Sequence, residues 1–251
     1  MNPVQLIQST VYLSGVGISK GTTPVVSFGD YSTAKIATIG INPSIREFKT
    51  SKGKLLDQAK KRLTDHETLG IPLESKFYSE SEAELIWQGC KNYFHTRNTY
   101  WSWFNQLEEL LQHVGASYKH DATHLDITPW TTEPVWSKLD SGDASKLLGL
   151  NIGNLNAQIE DSGIQTILFN GRQVYTHIDH HLNWYLKKVG ELKYSAGGKK
   201  QTSDLILGDG PKGRPVIGWS INLQSAKLTK SERSLVVSEL KSFIKSNSRI
   251  N

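Results

Sequence analysis

Residues 36–44 read Ile-Ala-Thr-Ile-Gly-Ile-Asn-Pro-Ser, and this stretch decides the fold class of the chain. An apolar, β-branched run of strand length stops there at a turn signal, which is typical of a buried strand. In open α/β sheets, ligands bind just beyond the carboxyl ends of the strands. Because Pro43 biases the residue before it toward an extended conformation, we expect Asn42 to point into a cleft. The simpler alternative is that Asn-Pro only closes the strand as a turn.

Three further runs have strand length and end at turn signals, and they cover residues 124–128, 165–170 and 215–220. Apolar residues with helical spacing lie between and after these runs, over residues 79–94, 100–114, 150–162, 172–189 and 230–246. This alternation predicts an α/β fold with a central, mostly parallel four-stranded sheet covered by helices on both faces. Two Gly- and Lys-rich stretches, residues 195–203 and 208–214, are predicted to be mobile loops.

The length and the cysteine content limit the kinds of protein that this chain can be. With 251 residues it can bury a sizeable core, and we expect one domain over residues 1–251. The single cysteine, Cys90, excludes an intramolecular disulfide and a four-cysteine iron–sulfur cluster. His177 and His181 lie one helical turn apart, but the glutamate that accompanies such pairs in zinc-binding helices is missing. We therefore expect no metal and no cofactor.

The charge balance suits a polyanionic partner. The chain has 29 Lys and Arg residues against 24 Asp and Glu residues, which gives a net charge of +5. No run approaches the roughly 18 apolar residues of a membrane span, and no secretory leader is evident. We expect a cytoplasmic monomer that does not bind membranes and that associates with the nucleoid if the source is prokaryotic.

Residues 40–44, Gly-Ile-Asn-Pro-Ser, resemble the first active-site motif of the uracil-DNA glycosylase superfamily. In the mismatch-specific branch of that family the motif reads Gly-Ile-Asn-Pro-Gly, so only Ser44 differs. The order of predicted elements from about residue 30 onward is also similar to the family's three-layer α/β/α domain. The resemblance implies a DNA glycosylase that flips a pyrimidine out of single- or double-stranded DNA, hydrolyses its N-glycosidic bond and leaves an abasic site.

The resemblance also implies roles for individual residues. Asn42 would hold the attacking water through its side-chain oxygen, as a weaker activator than the aspartate of the most active branch, which implies a slow enzyme. Phe48 is the nearest candidate to stack on the flipped base, with Tyr31 or Tyr78 as alternatives. The residues expected to form the base pocket are Gly40, Ile41, Pro43, Ser44, Phe48 and Asn170.

Asp126 ends the second predicted strand, close to where the family places the residue that reads the pyrimidine edge. A carboxylate accepts a hydrogen bond from the exocyclic amine of cytosine and repels O4 of uracil, which favours a cytosine-derived base. A general acid or base role is an alternative, and so is a buried or capping aspartate without a part in the chemistry. The resemblance therefore implies a substrate that is either uracil or a modified, even bulky, cytosine, in base excision repair or in defence against phages with modified bases.

The family's second motif follows the last strand and typically reads His-Pro-Ser or Asn-Pro-Ser, with a Leu or Arg that wedges into the DNA. Residues 220–225 read Ser-Ile-Asn-Leu-Gln-Ser, without the histidine and the proline. Leu223 or Leu228 is the candidate wedge, and the start of the last helix is a candidate phosphate site. The residues expected to contact DNA are Ser220, Asn222, Leu223, Gln224, Ser225, Lys227 and Lys230.

Two other classes of function stay open at the level of sequence. The altered second motif is compatible with a DNA-binding module of the same fold that has lost catalysis. A small-molecule nucleoside or nucleotide hydrolase is the other class, although the chain has no glycine-rich phosphate loop of the usual patterns.

Overall fold

The computed structural model describes residues 2–248 and confirms the α/β class. Seven α-helices form within this range: α1 (Pro3–Ser9), α2 (His66–Leu69), α3 (Glu80–Lys91), α4 (Trp101–His113), α5 (Ser141–Glu160), α6 (Arg172–His181) and α7 (Lys230–Asn247). Six strands form in the same range: β1 (Ile36–Gly40), β2 (Ala122–Asp126), β3 (Thr166–Asn170), β4 (Lys187–Ala196), β5 (Lys199–Asp209) and β6 (Pro215–Trp219).

The strands form one mixed sheet in the order β2-β1-β3-β6-β5-β4. β1, β3 and β6 are parallel to each other, whereas β5 is antiparallel to β6 and β4 is antiparallel to β5. The prediction of a four-stranded, mostly parallel sheet is therefore wrong, because a β4–β5 hairpin extends the sheet. The glycosylase-like three-layer arrangement stays a prediction.

The hairpin lies where the sequence predicts a long helix and a loop. Helix α6 ends at His181 because Leu182 adopts an extended conformation, and β4 then begins at Lys187. Gly197 and Gly198, with φ of 58° and 76°, make the turn that joins the strands. Over residues 187–196 only Leu192 is buried, so the period-two signal of a strand is nearly missing from the sequence.

Other boundaries also differ from the predicted ones. Residues 208–214 are not a simple loop, since β5 continues to Asp209 and a 3-10 helix follows over Pro211–Gly213. Helix α5 begins about two and a half turns before residue 150, at Ser141, where Asp140 caps it. Strand β2 begins and ends two residues earlier than predicted.

The chain forms two compact units that alternate along the sequence. The first unit comprises the chain up to Tyr31, Ile41–Tyr100 and His124–Asp161. The second unit comprises Ser32–Gly40, Trp101–Thr123 and the chain from Ser162 onward. The single-domain organisation stays a prediction.

In the second unit, apolar strands pack against helices. β1, β3 and β6 are almost entirely buried, as expected of parallel strands in the interior of a sheet. Helix α6 packs on β3 and β6, and α7 packs on β4, β6 and α4. In the first unit, α1 packs against α3. Within residues 2–248, none of the helices combines the length and the apolar character needed to span a bilayer.

We predict that Gly218→Ala destabilises the protein. Gly218 lies opposite Phe169 in the β3–β6 register, and a Cβ atom there would lie 2.0 Å from Phe169 Cζ. Because the core is closely packed, we expect a loss of about 1–3 kcal/mol in the free energy of unfolding, measured with urea.

The control is Gly149→Ala in α5, where no heavy atom lies within 4 Å of the added Cβ. That change should stabilise the helix by about 0.5–1 kcal/mol. Equal stability of Gly218→Ala and the wild type would contradict the packing of β3 on β6.

Candidate functional site

Asn42 lies two residues after the end of β1, and its amide is held in one orientation. Its Nδ2 donates to the carbonyl oxygens of Pro43, at 3.2 Å, and Trp130, at 3.4 Å, and to Thr132 Oγ1 at 3.4 Å. Since a carbonyl oxygen only accepts, the NH₂ group and not the oxygen must face these residues. Among residues 2–248, no group donates a hydrogen bond to Asn42 Oδ1, and the residue is half-buried. This oxygen is an oriented acceptor that no described protein group occupies.

Local structure fixes the turn that carries Asn42. Ser44 caps a 3-10 helix over Ile45–Glu47 by accepting a hydrogen bond from the Arg46 backbone. The Thr128 backbone N–H donates to the Ile41 carbonyl at 3.0 Å, so the segment that follows β2 lies beside the motif. Trp130, which holds the Asn42 amide through its carbonyl, is fully buried. The motif is therefore supported by core packing.

The three rings proposed to stack on a base are all in the core. Phe48 and Tyr31 are 2% exposed and Tyr78 is 6% exposed. A ring must offer a face to the base in order to stack on it, and none of these rings does so in this conformation. The stacking role stays a prediction.

Asp126 is 8% exposed, and its Oδ1 lies 3.4 Å from His124 Nε2. The carboxylate lines a pocket together with the amide side chains of Asn151, Asn154 and Gln158. The pocket has a volume of about 10 Å³, which is room for about one water molecule and not for a pyrimidine. Reading of a base edge by Asp126 would therefore require this region to open.

Glu47 is a buried acid that follows the motif, and no pattern in the sequence singles it out. It is 2% exposed and accepts a hydrogen bond from Tyr93 Oη at 2.7 Å. Burial raises the pKa of Glu47 to about 7, and the Asp126 carboxylate adds to this rise, whereas the Tyr93 hydrogen bond and the Arg62 charge oppose it. Loss of solvation on burial is the main cause of this rise.

Tyr93 connects Glu47 to an aromatic cluster in the first unit. Its hydroxyl oxygen accepts from the Tyr100 backbone N–H at 3.0 Å, and its ring packs edge-on against Phe28, with the ring centres 4.7 Å apart. Phe28 in turn packs against His124, the partner of Asp126. Glu47 thus positions the 3-10 helix that follows Asn42, and its own carboxyl group is not open to a substrate.

Asn170, at the end of β3 in the second unit, makes hydrogen bonds within the protein through both its side-chain oxygen and its side-chain nitrogen. Its Oδ1 accepts from Trp219 Nε1 at 2.8 Å and from the Leu223 backbone at 3.1 Å, while its Nδ2 donates to Gln224 Oε1. These bonds fasten the segment that follows β6 to the end of β3. Asn170 therefore shapes this segment, and its predicted place in a base pocket is untested.

Most polar groups expected to contact DNA in residues 220–225 also have partners in the protein. Ser220 Oγ accepts from the Asp204 backbone at 2.8 Å, and Asn222 Oδ1 accepts from the backbone of Gln224 and Ser225 at 3.1 Å each. Leu223 is 0% exposed, so a wedge at this position would first have to leave the core.

The remaining DNA candidates lie at the surface. Ser225, Lys227 and Lys230 are exposed, and Leu228, the alternative wedge, is half-buried. The start of α7 is closed by a capping box in which Thr229 and the Glu232 carboxylate take up backbone N–H groups. Glu232 puts a negative charge where a phosphate was expected, which weakens the case for an anion site there.

The predicted site residues divide between the two units. Ile41, Asn42, Pro43, Ser44, Phe48 and Asp126 belong to the first unit. Gly40, Asn170 and the residues selected between 220 and 230 belong to the second. Over the described part of the chain, no three His, Cys, Asp or Glu side chains are grouped so as to hold a metal ion.

The comparisons with known proteins add no relative. No protein-family model matches the chain, and no curated protein matches it. The resemblance to DNA glycosylases therefore rests on residues 40–44 and on the order of the elements.

We predict that Glu47→Gln alters the pH dependence of stability. The carboxyl pKa rises from 4.5 to about 7 on folding, so the folded chain binds more protons than the unfolded chain between these values. The stability that protonation contributes is fully present below pH 4.5 and is lost as the pH rises through 7. Glutamine keeps the acceptor for Tyr93 and carries no charge. The variant should therefore exceed the wild type at pH 8 by up to about 3 kcal/mol, with a smaller difference at pH 5.

Urea unfolding at both pH values measures this difference. Glu239→Gln, at an exposed position of α7, is the matched control and should follow the wild type at both pH values. A constant difference between Glu47→Gln and the wild type from pH 5 to pH 8 would show that Glu47 does not titrate in this range.

Proposed function

We propose that the chain is a monofunctional DNA glycosylase that hydrolyses the N-glycosidic bond of a pyrimidine flipped out of DNA. The observation that carries the proposal is the geometry of Asn42. Within the sequence Gly-Ile-Asn-Pro-Ser, its amide nitrogen is held by Trp130 and Thr132 and its oxygen has no donor among residues 2–248. The arrangement fits a residue that positions a water molecule.

The chemistry needs a water oxygen aimed at C1′ of the deoxyribose while the bond from C1′ to the base breaks. The water oxygen forms the new bond to C1′, the electron pair of the broken bond leaves with the base, and the proton passes from the water to solvent or to the base. Asn42 Oδ1 accepts a hydrogen bond from the water and so fixes its direction. A neutral amide does not remove the proton, so the rate gain comes from positioning, which fits a slow enzyme.

The substrate class proposed here is uracil or a cytosine derivative, and Asp126 favours cytosine. Its carboxylate accepts from an exocyclic amine and repels a carbonyl oxygen at the same place. A modified cytosine would place the enzyme in defence against phages whose DNA carries such bases, and uracil would place it in base excision repair.

A second candidate is a DNA-binding module of the same fold without catalysis. It is favoured by the use of Asn170 and Asn222 in hydrogen bonds within the protein and by the full burial of Leu223. In that case Asn42 only forms the turn after β1, and its Nδ2 contacts stabilise that turn.

We predict that Asn42→Ala abolishes base release without abolishing DNA binding. The assay counts alkali-labile abasic sites in DNA that contains uracil and in DNA that contains natural or hypermodified cytosines. Loss of the oriented acceptor should lower release by about 100-fold or more. The control is Asn105→Ala, at an exposed position of α4, which should behave like the wild type.

The other outcomes separate the alternatives. DNA binding by the wild type without release from any of these substrates would support the module without catalysis. Absence of both DNA binding and base release in the wild type would support a small-molecule hydrolase. Full release by Asn42→Ala would overturn the role given to Asn42.

A further inference from the structure

The outer half of the β4–β5 hairpin projects past the sheet. β5 pairs with β6 from Leu205, opposite Trp219, to Asp209, opposite Pro215. The five outer pairs of the hairpin, from Leu192 opposite Ser203 onward, lie beyond Trp219, the last residue of β6. We call residues 192–203 the ribbon. At about 3.4 Å per residue, it extends about 17 Å past the end of β6.

The ribbon stands at the carboxyl edge of the parallel strands. β5 runs antiparallel to β6, so its amino-terminal half continues past the carboxyl end of β6. Three hydrogen bonds fasten its base to the segment that follows β6: Ile221 N donates to Ser203 Oγ at 3.0 Å, Asp204 N donates to Ser220 Oγ at 2.8 Å, and Ser220 N donates to the Asp204 carbonyl at 3.1 Å. This edge is the one at which α/β proteins bind their ligands.

The ribbon is basic, and its charge is not neutralised within the protein. It carries Lys193, Lys199 and Lys200 and no acidic residue, and all three lysines are exposed. None of them has an ion-pair partner among residues 2–248. Closer to the sheet the situation differs, because Lys188 pairs with Asp204 at 2.7 Å and also with Glu191. Of the four hairpin lysines without an ion pair among residues 2–248, Lys193, Lys199 and Lys200 lie on the ribbon and Lys187 lies nearer the sheet.

The faces of the ribbon carry groups that bind phosphate. Lys193 lies opposite Thr202, and Ser195 lies opposite Lys200, so two ammonium and two hydroxyl groups share one face. Lysines on an edge strand also serve to prevent edge-to-edge aggregation, and both strands of the ribbon are edges, because β5 pairs with β6 only from Leu205 onward. Edge protection is therefore the alternative role for these lysines, and it predicts no contribution to DNA binding.

We propose that the ribbon is an arm that binds duplex DNA through its phosphates, with the two strands lying along a groove. A two-stranded β-ribbon fits the major groove of B-DNA, and lysine and hydroxyl side chains supply contacts that do not depend on sequence. The choice of DNA as the polyanion rests on the proposed glycosylase function. Within that function the arm holds the duplex at the carboxyl edge and leaves the reading of the base to other residues.

The test compares two triple variants with the same loss of charge. Lys193, Lys199 and Lys200 are changed to Ala in one, and the exposed Lys35, Lys146 and Lys245 are changed to Ala in the other. Lys35 precedes β1 and so lies at the opposite, amino edge of the sheet. Binding to an unmodified duplex is measured by fluorescence anisotropy between about 50 mM and about 200 mM salt.

The ribbon variant should bind several-fold more weakly, and the slope of log K against log salt should fall by about 3, or about 1 per lysine. The control variant should keep the wild-type slope. Lys→Arg at the three ribbon positions retains the charge and should also keep the wild-type slope. Base release at saturating DNA should be unchanged in the ribbon variant, because the arm acts in binding.

Equal slopes for the two Ala variants, with base release intact, would overturn the arm and leave the glycosylase proposal standing. A wild type that neither binds the duplex nor releases a base would overturn both proposals. Loss of release at saturating DNA in the ribbon variant would also overturn the arm as described, since it would place these lysines in the chemistry.

Discussion

Parallel pairing of β1, β3 and β6 is the constraint on which the organisation of the second unit depends. Parallel strands end at a common edge, so Gly40, Asn170 and Trp219 all lie along one side of the sheet. The interiors of these strands are buried, and the polar side chain there, Thr38, hydrogen-bonds to Tyr118. Under the proposed function, the chemistry is left to residues that follow the strand ends in sequence, such as Asn42 after β1.

Two asparagines illustrate how the same side chain serves opposite purposes. The Asn170 amide is engaged through both its oxygen and its nitrogen, and it holds the segment after β6 in place. At Asn42 only the nitrogen is engaged, so the amide is fixed while its oxygen stays available to a ligand. The sequence cannot distinguish the two, because each lies at or just after the carboxyl end of a buried strand. The difference arises from distant partners, Trp130 in one case and Trp219 in the other.

The buried strands could be predicted from sequence because their apolar, β-branched runs have only one favourable place, the interior of a sheet. β4 and β5 could not, because Lys, Glu and Ser alternate with few buried positions and Gly197-Gly198 resembles a loop. The burial of Glu47 could not be predicted either, for a related reason. A glutamate is normally at the surface, and no local pattern signals that this one is buried against Tyr93. Its raised pKa is a property of the fold alone.

The net charge of the protein indicates the sign of the charge on a partner, but not where on the surface that partner binds. Several lysines are neutralised where they lie, for example Lys49 by Glu133 and Lys61 by Asp65. What matters for a polyanion is where unpaired lysines collect, and this is set by strand register. In the observed register, Lys193 and Lys200 share a face of the ribbon. A slip of one residue between β4 and β5 would replace Lys200 and Thr202 on this face with Lys199 and Gln201. The groups that stand beside Lys193 and Ser195 thus depend on the pairing that the turn at residues 197 and 198 imposes, a non-local consequence of two glycines.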